Sequence, residues 1–301
     1  MNTPSNALPE THAVSPQAPL MRAAGPMYWS IRRELWENRS IYLAPLIAAG
    51  VFLFGFLIKL INMRRHMGTL LDRQQLETPY DTASLLIMGV AFLVGIFYTL
   101  DALYGERRDR SILFWKSLPV SDATAVLSKL VVAMAILPLL AFVITIATHF
   151  AMFAMSGVVL IGTGVNVGML WGQLSFLHFS GMLLYHLMTV HGLWYAPMYG
   201  WLLLVSAWAP RAPFLWAFLP PFVIWGVEKL AFNTSYFLTM LQRRLTGPEP
   251  STPPASNSLM DAMAAHSLGQ FLTLPGLWIG LAICAAFLVA AVRLRRYRGP
   301  I

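Results

Sequence analysis

Residues 41–61 read IYLAPLIAAGVFLFGFLIKLI, with a single charge, Lys59, in a run long enough to cross the roughly 30 Å hydrocarbon core of a bilayer as a helix. Five further runs of similar length follow, at 83–103, 130–155, 183–208, 213–232 and 271–292. The chain as a whole is 57% hydrophobic and 11% charged. A soluble domain carries about a quarter of its residues charged to keep its surface wet. The missing charge means that most of the surface faces hydrocarbon, and the fold class that follows is an all-α membrane protein with six transmembrane helices.

The domain reading is a disordered cytoplasmic tail over 1–26, an interfacial helix over 27–40 and a six-helix transmembrane domain over 41–301. The tail carries Pro4, Pro9, Pro16, Pro19 and Pro26 and lacks the basic start and apolar centre of a secretory signal. The fourth run is indistinct at its start, because 162–178 is also apolar and suits an external re-entrant or interfacial piece. The net charge of +8 does not point to nucleic acid, since the basic residues flank apolar spans, where lipid headgroups meet them. The single cysteine, Cys284, lies inside an apolar run. It can form no intramolecular disulfide and no cysteine metal cluster.

Lysine and arginine also set the expected orientation. With the amino terminus inside, fourteen of the 21 fall on inner segments and seven on outer ones. That excess predicts cytoplasmic termini.

Three segments are not spans. Residues 27–39, MYWSIRRELWENR, place Tyr28, Ile31, Leu35 and Trp36 on one helical stripe with Arg32, Arg33 and Arg39 elsewhere. This is the pattern of a helix lying on the inner leaflet, with an ordinary basic flank that only fixes topology as the alternative. The inner loop 104–129, YGERRDRSILFWKSLPVSDATAVLSK, opens on a mixed charge cluster that cannot enter lipid. Within it Ser111 can cap a short apolar helix over 112–118, Pro119 stops that helix, and Ser121 with Asp122 can cap a new one leading into the third span. The outer stretch 246–270 begins TGPEPSTPPASNS, a flexible connection, with one or two helical turns expected at 259–268.

The loop from Tyr104 to Lys129 resembles the type 2 ABC exporter permease family. The resemblance rests on a tyrosine ending the second span, then GERRDRSILFWKSLPVSD, then a small-residue helix with SKL. It implies a coupling element that contacts an ATPase, carried on Tyr104, Glu106, Arg107, Arg108, Asp109, Arg110, Phe114 and Trp115. It implies further a second permease subunit in a homodimer, a separate ABC ATPase binding ATP and Mg, and a multi-pass place among the lipids of the bacterial cytoplasmic membrane. The chain has no G-x-x-x-x-G-K-[ST] sequence, so it has no P-loop and no cofactor of its own is expected. The function implied is that of an exporting permease, not an enzyme.

Polar groups inside spans are the remaining candidates, because each costs several kcal/mol in hydrocarbon unless satisfied. They are Asp101, His149, His186, His191, Glu228 and Lys229. Asp101 is expected to pair with Arg107 or Arg108, while Glu228 and Lys229 reach for outer headgroups. His186 and His191 lie five apart, which on an α-helix turns them roughly 140° from one another, so no helical metal pair is expected. Trp194, Tyr195, Tyr199 and Trp201 either line a path for an amphipathic substrate or form a belt and packing surface. Gly192, Pro197 and Gly200 imply a kink there. An alternative function is an intramembrane lipid- or peptide-processing enzyme using the membrane histidines.

Overall fold

A computed structural model describes residues 19–65, 73–118, 120–159, 176–248 and 267–299, and among them there is no strand. The tail up to residue 18, most of the 162–178 piece, Pro119 and the turns expected at 259–268 up to residue 266 lie outside the described residues. The helices are α1 (Pro19–Glu37), α2 (Ser40–Arg65), α3 (Arg73–Ala102), α4 (Tyr104–Arg108), α5 (Ile112–Ser117), α6 (Asp122–Val131), α7 (Leu137–Val159), α8 (Phe176–His186), α9 (Ala196–Trp208), α10 (Pro213–Phe232), α11 (Tyr236–Thr246), α12 (Leu268–Thr273) and α13 (Pro275–Tyr297). Two π-helical segments, Val132–Ile136 and Leu187–Trp194, join α6 to α7 and α8 toward α9.

Five helical stretches among the described residues are long and apolar enough to cross a membrane: Ser40–Arg64, Thr78–Arg108, Asp122–Val159, Pro213–Phe232 and Pro275–Tyr297. The run expected as a fourth span is helical too, but it is divided among α8, the π segment and α9, none of which is of spanning length alone. The division has a visible cause. Tyr195 N–H donates to the Val190 carbonyl at 2.9 Å, a bond that closes on the fifth residue rather than the fourth. Each π segment is followed within three residues by a proline, Pro138 or Pro197, whose ring displaces the carbonyl four residues before it.

The helix expected over 27–40 has other bounds. Among the described residues it runs from Pro19, ahead of the expected Met27, to Glu37. Its stripe is divided as well: Ile31 and Leu35 pack on the core while Tyr28, Trp29 and Trp36 are exposed. Arg32 lies over the rings of Trp29 and Trp36, at 5.3 and 4.6 Å from their centroids. The expected cap of the loop helix is also corrected. Ser111 makes no capping bond to α5, having α-helical backbone itself, whereas extended Ser121 does accept from Thr124 N–H and caps α6.

The core forms where α2, α3, α7, the π segments, α9 and α13 meet, around residues such as Ile87, Leu137, Tyr199 and Leu277. By contrast α10 buries only Ala217 and turns Phe222, Leu230 and Phe232 outward, as a lipid-facing helix does. Helices α9 and α13 approach closely at Gly200, where an added Cβ would stand 3.1 Å from Cys284 Sγ and 3.3 Å from its Cα. Backbone cannot retreat as a flexible side chain does. Gly200→Ala is therefore expected to lower stability by about 1–3 kcal/mol, read as a lower melting temperature of the purified protein.

Helix α11 was not anticipated. Asn233 ends α10 with a left-handed φ of 50°, and Glu228 accepts from Thr234 Oγ1 and from the backbone N–H groups of Tyr236 and Phe237. This carboxylate sits at the start of α11, where exposed N–H groups favour negative charge. It fastens the turn rather than reaching freely toward headgroups.

Candidate functional site: a clamped helix at the base of the bundle

Leu103 and Tyr104 donate their N–H groups to Ser206 Oγ, each at 2.9 Å, where α3 breaks into α4. That break delivers the loop's charges to two different environments. Glu106 and Arg107 are buried, whereas Arg108, Asp109 and Arg110 are exposed. Arg107 Nη1 donates to the carbonyls of Ala207 and Ala209 at 2.6 and 3.3 Å, and Arg298 Nη1 to that of Trp208 at 2.5 Å. Two guanidiniums thus satisfy the carbonyls left open at the C-terminus of α9 and meet the negative end of its dipole. Asp101 pairs with Arg108, at 3.6 Å, on the exposed side. Arg108 also bonds Asp109 and stands 5.7 Å from the ring of Tyr104.

Glu106 enters a network that joins five helices. Its Oε1 lies 3.0 Å from Arg33 Nη2 and 3.1 Å from Lys129 Nζ, and its Oε2 accepts from Arg295 Nη1. Glu34 Oε1 receives Arg33 at 2.6 Å and Lys129 at 2.7 Å, and its Oε2 accepts from Tyr98 Oη at 2.9 Å. Arg295 Nε donates to Asp122 Oδ1 at 3.1 Å. Glu34, Glu106 and Asp122 thus offset Arg33, Lys129 and Arg295, as burial of such groups demands, and half-exposed Glu37 adds a fourth carboxylate 3.4 Å from Arg33 Nε at the rim. Burial by itself raises the Glu34 carboxyl, but Lys129 and Arg33 outweigh it and hold the group below its ordinary value of 4.5. A carboxyl lowered on folding contributes stability above its unfolded value and loses it as pH falls through the folded one. Melting temperature is therefore expected to hold steady down to about pH 4.5 and to fall below it. Glu34→Gln should lower the plateau and flatten that fall.

The network brackets α5, with Glu106 before it and Asp122 and Lys129 after it. Arg110, at a left-handed φ of 59°, turns the chain between α4 and α5. Ile112 is 1% exposed and anchors the short helix, while Trp115 lies under the Arg33 guanidinium, 3.8 Å from ring centroid to Cζ. Lys116 Nζ donates to the Arg296 carbonyl at 3.3 Å. What remains on the outer side is apolar: Leu113 is 59% and Phe114 60% exposed. Of the residues expected to couple, Phe114 faces outward, Trp115 ties α5 to α1, and Glu106 and Arg107 hold the base. Leu113, Glu34, Tyr98, Lys129 and Arg295 were not singled out, and Asp122 was expected only as a cap. The available signal was Glu34 and Glu37 on the otherwise basic stretch 27–39, with Lys129 and Arg295 at the ends of apolar runs.

The residues expected within the membrane fall elsewhere. His149 Nε2 donates to the Tyr80 carbonyl and stands near Ser84 Oγ, both at 3.2 Å. It is a satisfied packing group. His186 and His191, expected to point apart, meet instead with ring centroids 5.6 Å apart, because a helix that closes on the fifth residue stacks positions i and i+5. Among the described residues no three His, Cys, Asp or Glu side chains gather to hold a metal ion. Of the four expected path residues, Trp194 bonds the Arg244 carbonyl beneath the Arg244 guanidinium, Tyr199 is fully buried beside Gly95, and Trp201 bonds the Ala217 carbonyl. Tyr195 lines a cavity.

The chain matches no protein-family model, no curated protein and no solved structure.

Proposed function

We propose that the chain is the membrane-spanning permease subunit of an ABC-type exporter, driven by a separate ATPase. The observation that carries this reading is α5: a short helix between two spans, fixed at both ends by buried charge and showing an apolar face outward. A helix held in this way transmits a push to the bundle, because moving it means moving α1, α6 and α13 with it. An apolar face beside exposed Arg108, Asp109 and Arg110 suits a groove with a polar rim. In this reading α8, its π segment and α9 together complete a sixth span, both termini are cytoplasmic, and two copies of the chain assemble in the bacterial cytoplasmic membrane.

The test is co-purification in mild detergent of the tagged chain with an ATPase subunit encoded beside it. Recovery of a complex whose ATP hydrolysis responds to the permease supports the reading, and an ATPase that never associates refutes it. A second reading, an enzyme acting through membrane histidines, draws on the pairing of His186 with His191. It requires that His191→Phe abolish activity while substitutions on α5 leave activity intact.

A further inference from the structure

A cavity of about 530 Å³ lies between α3, the Leu187–Trp194 segment and the carboxyl end of α11. Its size falls within the roughly 300–1,000 Å³ that holds small-molecule ligands. Most of its wall is apolar, including Met88, Phe92 and Phe271. Polar side chains interrupt that wall, Tyr185, His186, Thr189 and His191 among them. His191 is 8% exposed, and its Nδ1 is buried without a hydrogen-bond partner, as is the Tyr185 hydroxyl. Buried polar atoms are nearly always satisfied, so two unpaired ones on side chains that line one cavity mark a place for a group that the chain does not supply. The geometry has a specific origin, since only the π segment turns His191 to the same side as His186.

The lining also constrains the occupant. Among the described residues it includes no Asp, Glu, Lys or Arg, so a charged head would be buried without a counter-ion. A hydroxyl meets the need of Nδ1 in either tautomer, because it both donates and accepts. We propose that this cavity binds an uncharged amphiphile, an apolar body seated among Met88, Phe92 and Phe271 with a hydroxyl head on His191 Nδ1. The assignment concerns a different site from α5 and holds independently of any ATPase.

The test uses the full chain in nanodiscs and three diazirine probes with the same aliphatic chain: an alcohol, the corresponding alkane and the corresponding fatty acid. Labelled peptides are mapped by mass spectrometry. The alcohol is expected to label the cavity wall at least fivefold more than the alkane or the acid. His191→Phe, which keeps the ring and removes the nitrogen, should bring the alcohol down to the alkane's level, and Tyr185→Phe should lower it in part. Gly89 lines the cavity, and a Cβ there meets nothing within 4 Å. Gly89→Phe is thus expected to fill the space and suppress labelling while leaving the melting temperature unchanged, so the test survives if His191→Phe fails to fold. Delivering a chain-shortened alcohol from water, beside the long one through the bilayer, distinguishes a solution ligand from a membrane lipid. Equal labelling by alcohol and alkane, stronger labelling by the acid, or alcohol labelling unmoved by both His191→Phe and Gly89→Phe would each overturn the proposal.

Discussion

Glu106→Gln is expected to cost about 3–5 kcal/mol, a fall in melting temperature of the order of 10 °C, because it strips one carboxylate from three cations. Arg33, Lys129 and Arg295 all stand on Glu106, and Glu106 is itself buried. The loss comes chiefly from positive charge left without its partner, not from the net worth of the original pairs. That distinction is measurable. In Glu106→Gln combined with Lys129→Met, Arg33 keeps Glu34 and the half-exposed Glu37, and Arg295 keeps Asp122, so neither remaining cation is left without a carboxylate. The double variant should therefore melt above Glu106→Gln alone, with a coupling of about 1–3 kcal/mol between the sites. Strict additivity would mean that the network does not act as a unit.

Leu113→Asp and Phe114→Asp are expected to do the opposite: leave the fold intact and remove the partner. Both side chains are more than half exposed, and surface changes of that kind usually stay within about 0.5 kcal/mol of stability. A central apolar contact in an interface is commonly worth about 2 kcal/mol or more, and each 1.4 kcal/mol is tenfold in affinity. Either substitution should thus lower recovery of the ATPase at least tenfold, while Leu230→Asp, placed on the lipid face of α10, should not act through the ATPase at all. The contrast between Glu106 and Phe114 separates the two jobs of the loop, holding the helix and presenting it.

Five of the six expected runs were legible as long apolar helices because an apolar run of 20 residues has few other uses, and the loop helix was legible because Ser121 and the charge cluster punctuate it. Three features were not. The pairing of His186 with His191 follows from a π segment, and the α-helical spacing applied to these residues gives the wrong face. Proline at 138 and 197 was the available hint, though a proline announces a local defect and not its form. The inward turn of Glu106 depends on Arg33 and Arg295, which lie 73 residues before it and 189 residues after it, and no local pattern reports so distant a partner. Helix α11, YFLTMLQRRLT, is too short and too charged to read as a span. It is fixed by tertiary contacts, the Glu228 carboxylate at its start and Trp194 and Tyr195 at its end.

The central claim is that α5 is the surface on which an ATPase sits, and site-specific photo-crosslinking tests it most directly. A photoreactive amino acid is placed at position 114 and, as a control, at position 230, in cells that also express the neighbouring ATPase subunit. The account predicts an adduct between this chain and the ATPase from position 114 and none from position 230. Adducts from position 114 that contain lipid alone, with the ATPase present and active, would contradict it.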